Sequence, residues 1–132
     1  MSHLKENSPS LWIVDDEPDF RTFVEVVAKD RGWTVREFPG GAQLVSELAT
    51  SPPPDLIILD MVMPEMDGIE TILKISEFSR QPQILIVSGR NIIYGTMAEH
   101  IGRKDDLNVL ATVTKPLSVQ DLTDFFISIE TS

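Results

Sequence analysis

The chain contains no cysteine among its 132 residues. Disulfide bonds, thiolate metal sites and cysteine nucleophiles are therefore excluded. Basic residues are also scarce, with 11 Lys and Arg against 21 Asp and Glu, which gives a formal net charge of −10. Nucleic acids and anionic membrane surfaces are bound by clustered basic side chains, so this charge balance disfavours both as partners.

Long apolar runs are absent as well. No stretch reaches the roughly 18 to 20 apolar residues that cross a bilayer, and the first ten residues, MSHLKENSPS, have no apolar segment typical of a signal peptide. We expect a flexible tail over residues 1–9, a single domain over residues 10–132 and a cytoplasmic location. His3 and His100 are single and far apart, which favours surface roles over metal binding.

Short apolar runs alternate with amphipathic stretches along the whole chain. Leu11–Val14, Leu56–Leu59 and Ile84–Val87 are apolar throughout, which is typical of strands buried on both faces of a parallel sheet. Residues 33–38 and 109–113 give two further predicted strands. Apolar residues at helical spacing predict four helices, through Phe20–Ala28, Leu44–Leu48, Ile69–Ile75 and Leu122–Ile129. A longer helical or mixed stretch over about Ile92 to Lys104 is expected as the remaining one of five helices.

Local signals place several helix boundaries. Pro18 suits the first turn of the first helix, and Gly32 suits its end. Asp67 and Gly68 predict a turn that starts the third helix, and Ser118 is placed to cap the last one. Strands alternating with helices indicate an α/β fold, a flavodoxin-like doubly wound sheet of five parallel strands in the order 2-1-3-4-5 with five helices.

Polar residues follow the predicted strands at their carboxyl ends. Asp15 and Asp16 come after the first strand, Asp60 after the third, Ser88 after the fourth and Lys115 after the last. In parallel sheets of this kind, ligands bind at that edge, where the strand order reverses. The sequence therefore predicts that these five side chains share one site.

These residue types favour phosphoryl chemistry. Three carboxylates close together raise one another's pKa values unless a cation separates them, and Mg²⁺ prefers such oxygen ligands. A carboxylate is also a nucleophile that forms aspartyl phosphate. Lys115 and the Ser88 hydroxyl are suited to holding phosphoryl oxygens, and Gly89 leaves room for an incoming donor.

Four motifs occur in a fixed order: VDDEP at Val14–Pro18, LDMVMPEMDG at Leu59–Gly68, VSG at Val87–Gly89, and Lys115 followed by Pro116. Together they resemble the receiver domain of a bacterial two-component response regulator, of the chemotaxis-response-regulator type, over about residues 10 to 130. The resemblance implies a signalling domain that catalyses only its own aspartyl phosphorylation and dephosphorylation.

The resemblance also implies roles for single residues. Asp60 is the implied phospho-acceptor, and Asp15, Asp16, Asp60 and the Val62 main-chain carbonyl are the implied ligands of Mg²⁺ or Mn²⁺. Ser88 and Lys115 would contact the phosphoryl group, beside Gly89 in the phosphoryl pocket. The implied donor is a sensor histidine kinase or a histidine phosphotransfer protein. A phosphorylation-dependent homodimer and an output domain in a longer parent chain are further expectations, and neither direct nucleic-acid nor membrane binding is expected.

Three features depart from the family pattern. Thr112 stands where many receivers have a switching aromatic residue, and Val62 and Arg90 occupy positions that tune loss of the phosphoryl group. Ser88 and Lys115 lie 27 positions apart, which predicts an extended fourth helix or exit loop. The stretches Asp106–Leu110 and Lys115–Ser118 also resemble receivers that precede EAL-type cyclic-di-GMP phosphodiesterase domains.

Two alternatives stay open at this point. A haloacid-dehalogenase-like Mg²⁺-dependent phosphohydrolase also uses an aspartyl nucleophile, a hydroxyl and a lysine. Its nucleophile follows the first strand in an Asp-x-Asp pattern, which Asp15, Asp16 and Glu17 do not match. A docking receiver that works without phosphorylation is the second alternative, although docking alone does not require the full acidic set with Ser88 and Lys115.

Overall fold

The computed structural model describes residues 8–63, 65–78, 81–89 and 92–131. The expectations for His3, Arg90 and residues 1–7 concern positions outside these ranges. Strands and helices alternate strictly through the described chain. The strands are β1 (Ser10–Val14), β2 (Thr34–Phe38), β3 (Leu56–Asp60), β4 (Gln83–Ser88) and β5 (Asn108–Thr114), and the helices are α1 (Pro18–Asp30), α2 (Gly41–Leu48), α3 (Gly68–Ile75), α4 (Ile92–Lys104) and α5 (Val119–Glu130).

All five strands pair in parallel in the order β2-β1-β3-β4-β5, which confirms the predicted topology. Every residue of β3 is buried, as are the apolar runs of β1 and β4, because these strands are covered by helices on both faces. The edge strands β2 and β5 are more exposed, and for that reason their sequences are less uniformly apolar.

Successive residues of each central strand point to opposite faces and build two separate cores. Trp12 and Val14 of β1 pack in one core with residues of α2, α3 and α4. Leu11 and Ile13 pack in the other with residues of α1 and α5. Trp33, which precedes β2, belongs to this second core, so the two tryptophans are buried on opposite sides of the sheet.

The helix boundaries follow the predicted signals. Pro18 is the first residue of α1, and Gly32 has a φ of +85°, the left-handed conformation that glycine adopts without strain. Asp67 caps α3 by accepting a hydrogen bond from the Glu70 N–H at 2.9 Å. Ser118 caps α5 in the same way, accepting from the Asp121 N–H at 3.0 Å.

The long segment between Ser88 and Lys115 is taken up by the 13 residues of α4 and by an irregular β5. Ile84 pairs with Val109, but the next residue, Leu85, pairs with Ala111, so Leu110 is an extra residue in β5. Such a bulge keeps the rest of the strand in register with β4. Ser88 consequently pairs with Thr114, one residue before Lys115.

The other edge of the sheet carries a compact ion pair. Arg31, just after α1, donates two hydrogen bonds to the Glu130 carboxylate of α5, at 2.9 and 2.6 Å. The indole N–H of Trp33 donates to the same carboxylate at 2.7 Å. Glu130 therefore fastens the ends of α1 and α5 to the start of β2. No helix in the described ranges has the length and apolar character to span a bilayer.

Candidate phosphoryl-transfer site

The predicted site residues meet at the carboxyl edge of the sheet. The Asp15 N–H donates to the Phe38 carbonyl at 3.1 Å and so continues the β1–β2 ladder by one residue. Asp60 is the last residue of β3, and Ser88 is the last residue of β4. The Lys115 N–H donates to the Ser88 carbonyl at 2.9 Å. Parallel pairing in register therefore brings four strand ends to one place.

Three carboxylates converge there. One oxygen from each of Asp15, Asp16 and Asp60 lies within 4.8 Å of the others. Asp15 and Asp60 are buried, with exposed fractions of 0% and 5%, whereas Asp16 is exposed. The cluster thus has two desolvated carboxylates and one that faces solvent.

Burial governs the electrostatics of the buried pair. Burial, together with the neighbouring charges of Asp15 and Asp16, raises the pKa of Asp60 from 3.8 to about 7. Burial also raises the pKa of Asp15, although contact with Lys115 and the Glu17 N–H acts in the opposite direction. At neutral pH, two buried carboxylates side by side are costly without a compensating cation.

The donor set fits a hard divalent cation. Asp15 Oδ2 is buried and accepts no well-directed hydrogen bond from any described residue, although Lys115 Nζ lies 2.9 Å away as an ion-pair partner. Buried carboxylate oxygens in a native fold normally have a partner. An oxygen-rich cluster with a spare lone pair is what Mg²⁺ coordination uses.

The local chain holds Asp15 and Asp60 firmly. Asp15 Oδ1 accepts from the Glu17 N–H at 2.8 Å, and the Arg21 guanidinium donates to the Asp15 carbonyl at 2.6 Å. The Val62 N–H hydrogen-bonds to Asp60 and partly offsets the rise in its pKa. Arg21 was not among the predicted site residues, since nothing in its sequence position reveals a contact with a main-chain carbonyl six residues earlier.

Tight backbone approach shapes the loop after Asp60. A Cβ placed on Gly68 would lie 2.8 Å from the Met61 Cα, so a larger residue would push the loop away from α3. The Gly68 N–H also donates to the Met61 carbonyl at 3.0 Å. At Gly89, by contrast, a Cβ would meet nothing within 4 Å. As far as the described residues are concerned, the space beside Gly89 is therefore open, and this glycine is not required to avoid a clash with them.

Lys115 is bound to acidic residues of the β1–α1 segment. Its ammonium pairs with Asp15 and with Glu17, a residue not among those predicted for the site. Burial alone lowers the pKa of Lys115, but these two ion pairs outweigh it and the pKa is raised. The acidic run identified Glu17 as a neighbour of the site, but sequence spacing could not show which cation it contacts.

Thr112 occupies the position expected for a switching aromatic residue, and it makes a polar contact instead. Its hydroxyl donates to the Glu99 carboxylate of α4 at 2.5 Å. A Cβ on Gly95 would lie 2.7 Å from the Thr112 methyl group and 3.2 Å from the Ser88 Cβ. The backbone of α4 therefore rests directly on Thr112 and Ser88, with no side chain between them.

Comparison with known proteins agrees with this geometry. The family model of the response regulator receiver domain matches residues 11–126. Sporulation initiation phosphotransferase F of Bacillus subtilis is 28% identical over 112 residues, which cover 85% of this chain and 86% of that protein. Transcriptional regulatory protein TrcR of Mycobacterium tuberculosis is 26% identical over 121 residues. Those residues are 91% of this chain but 45% of TrcR, so the chain spans less than half of that relative.

Solved structures show the same architecture. The crystal structure of a response regulator from Colwellia psychrerythraea matches with a TM-score of 0.79 at 30% sequence identity, covering 93% of this chain and 97% of that chain. The sheet order and the acidic edge define a flavodoxin-like domain of the receiver type. With the family match, the chain belongs to the response regulator receiver domain family of two-component signalling.

This family membership bears on the earlier alternatives. Neither a haloacid-dehalogenase-like phosphohydrolase nor a docking receiver is favoured by it. Receiver domains generally bind Mg²⁺ at an acidic pocket and interact with histidine kinases or phosphotransfer proteins.

Proposed function

We propose that Asp60 accepts a phosphoryl group from a phosphohistidine of a sensor histidine kinase or a histidine phosphotransfer protein. The observation that carries this proposal is the buried position of Asp60 beside two further carboxylates, at the strand end where a receiver takes its phosphoryl group. A cytoplasmic site of action and catalysis limited to the domain's own phosphorylation and dephosphorylation belong to the same proposal.

The transfer is a displacement at phosphorus. A carboxylate oxygen of Asp60 forms a bond to phosphorus while the phosphorus–nitrogen bond of the phosphohistidine breaks, and the leaving imidazole nitrogen keeps the electron pair. Asp60 must be ionised to attack, and its pKa of about 7 leaves a mixture of ionised and protonated forms at neutral pH. A cation bound beside it increases the ionised fraction.

Asp15, Asp16, Asp60 and the Val62 main-chain carbonyl are the groups we assign to hold Mg²⁺, or Mn²⁺ in its place. When bound, the ion neutralises charge on the transferred phosphoryl oxygens. The spare lone pairs on the buried Asp15 carboxylate support this assignment.

Ser88 and Lys115 are the groups that we assign to the phosphoryl oxygens after transfer. Ser88 is 2% exposed at the end of β4, and Lys115 follows β5 beside it. Gly89 leaves open space for the donor to approach. A hydroxyl and an ammonium contact the phosphoryl group only in the phosphorylated state, and such contacts are what shift a two-state equilibrium.

Movement of Ser88 would reach helix α4 directly, because Gly95 rests on Ser88 and Thr112. We therefore assign the output surface to α4, β5 and α5. A phosphorylation-dependent homodimer and an output domain in a longer parent chain, including one of the EAL type, are extensions of this proposal.

Intact-mass measurement after incubation with acetyl phosphate tests the proposal. We expect one added phosphoryl group that requires Mg²⁺ and is missing in Asp60→Asn. Asp55→Asn is the matched control, since Asp55 lies just before the opposite end of β3 and is exposed. An adduct of equal yield in Asp60→Asn would exclude Asp60 as the acceptor. If no adduct is seen on the wild type, stable binding of beryllium fluoride would still support an acceptor site with rapid loss of the phosphoryl group.

A further inference from the structure

The resting position of Lys115 is defined by three residues of the β1–α1 segment. Lys115 Nζ lies 2.9 Å from Asp15 Oδ2 and contacts the Glu17 carboxylate. It also lies 4.4 Å from the centroid of the Phe20 ring, within the range of a cation–π interaction. Its side chain is only 18% exposed, so Lys115 is largely packed against neighbouring residues.

These contacts are not made to Asp60, although Lys115 is near enough for its charge to lower the pKa of Asp60. Within the described chain, the ion pairs of Lys115 are with Asp15 and Glu17 rather than with Asp60. A phosphoryl group on Asp60 would draw Lys115 toward itself. The contacts with Glu17 and Phe20 therefore belong to the resting state and compete with that movement.

Among the described residues, the contacts of the Glu17 side chain with Lys115 are the ones that define its position. It is the N-cap residue of α1, but its side chain makes no capping hydrogen bond. Its N–H, rather than its carboxylate, contacts Asp15. The side chain of Glu17 is 63% exposed, and its carboxylate contacts Lys115.

We propose that Glu17 and Phe20 are positioning residues that hold Lys115 in a resting clamp, and that this clamp opposes occupation of the phosphoryl site. The inference rests on the proposed function, since it concerns the cation that would pair with the phosphoryl group on Asp60. A contact made in only one of two states biases the equilibrium toward that state. Removing the clamp should therefore favour the occupied site.

Binding of beryllium fluoride, a phosphoryl mimic, measures this bias. In saturating Mg²⁺ we expect Glu17→Gln to bind it about two- to fivefold more tightly than the wild type, the range of a partly exposed ion pair. Fluorine NMR titration gives the bound fraction directly. Asp19→Asn is the matched control, because it removes the same charge from the first turn of α1 without an ion pair to Lys115.

A double-mutant cycle shows whether Glu17 acts through Lys115. In a Lys115→Gln background, Glu17→Gln should leave the affinity for beryllium fluoride unchanged. An equal gain in that background, or an equal gain in Asp19→Asn, would assign the effect to general charge repulsion and overturn the clamp. Unchanged or weaker binding by Glu17→Gln alone would overturn it too.

Nitrogen-15 NMR of the lysine ammonium groups tests the clamp without metal or mimic. We expect a slowly exchanging Lys115 signal, shifted by the Phe20 ring, in the wild-type protein. The signal should broaden in Glu17→Gln, and Phe20→Leu should remove the ring shift while keeping an apolar side chain. A Lys115 signal that is identical in all three proteins would contradict the clamp.

The two proposals fail differently. If the wild type neither binds beryllium fluoride nor takes up a phosphoryl group, the proposed function is wrong, and the role of the clamp falls with it even if the ammonium signal is present. If the wild type does both but Glu17→Gln does not bind more tightly, the clamp alone is wrong.

Discussion

Asp60 lies at the carboxyl edge of the sheet, and Glu130 lies at the end of α5, near the opposite edge. The groups that surround these two carboxylates differ. Glu130 is met by the Arg31 guanidinium and the Trp33 indole N–H, and hydrogen bonding to Arg31 lowers the pKa of Glu130. Asp60 is buried beside two other carboxylates, and its pKa is raised to about 7. Both oxygens of the Glu130 carboxylate accept hydrogen bonds, whereas Asp60 is compensated only in part, by the Val62 N–H and the charge of Lys115. Hydrogen bonds and an ion pair thus lower the pKa of Glu130, whereas burial and like charges raise the pKa of Asp60.

Replacing Asp60 with a neutral residue is expected to change the free energy of unfolding more than any other substitution considered. Its native pKa is about 7 against 3.8 for an unperturbed carboxyl, so between those pH values the native state binds more protons than the unfolded state. The ionised Asp60 carboxylate therefore destabilises the native state fully above about pH 7 and not at all below about pH 4. We expect Asp60→Asn to raise the free energy of unfolding by about 4 kcal/mol at pH 8 without metal, and by almost nothing at pH 4.

Urea unfolding at the two pH values measures this difference. Equal stability of the two proteins at pH 8 would show that solvent or local rearrangement already relieves the burial of Asp60. The comparison with Glu130 would then lose its electrostatic basis.

Mg²⁺ should compensate the negative charges of Asp60 and its neighbouring carboxylates, and so stabilise the native state. At a free concentration ten times the dissociation constant, a ligand that binds only the native state adds about 1.4 kcal/mol. We expect this gain for the wild type at pH 8 and a clearly smaller one for Asp60→Asn, measured by the shift of the urea midpoint. A gain of the same size in Asp60→Asn would place the ion elsewhere.

Removing the Glu130 carboxylate should lower the free energy of unfolding, by less than replacing Asp60 raises it. Glu130→Ala leaves the indole N–H of the buried Trp33 without its acceptor, which costs about 1 kcal/mol. Loss of the ion pair with Arg31 adds little, because that pair is partly solvated. Glu130→Gln keeps an acceptor and should lose less. Thermal or urea unfolding at pH 7 gives both values.

The pH dependence of the Glu130 effect also has a definite sign. Its pKa is lowered from 4.5, so its stabilisation is complete above that value and is lost as the pH falls through the lower native pKa. The difference between wild type and Glu130→Gln should therefore shrink in acid. A difference that grows in acid would contradict the assigned ion pair.

The fold was predictable because local pattern and tertiary structure agree. The stretch from about Ile92 to Lys104 was expected to be helical or mixed, and it is helix α4. The three buried strands were located because they are apolar throughout. Parallel strands also carry their final residues to one edge, so Asp15, Asp60 and Ser88 could be placed together from sequence.

Side-chain partners at the site were less predictable, since they depend on contacts between distant segments. The pairing of Lys115 with Glu17 joins residues 98 positions apart, and any of the three carboxylates of the acidic run could have been its partner. The contact between Thr112 and Glu99 was likewise unpredicted, although the absence of an aromatic residue at position 112 was visible in the sequence. The extra residue Leu110 in β5 depends on registry with β4, which periodicity alone does not define.

The burial of one tryptophan in each core gives the molecule two optical reporters. Trp12 senses the side covered by α2, α3 and α4, and Trp33 senses the side covered by α1 and α5. Replacing either one with phenylalanine leaves an emission signal from a single face of the sheet. The two single-tryptophan proteins can thus reveal whether both faces melt together, and which of them first registers a ligand at the carboxyl edge.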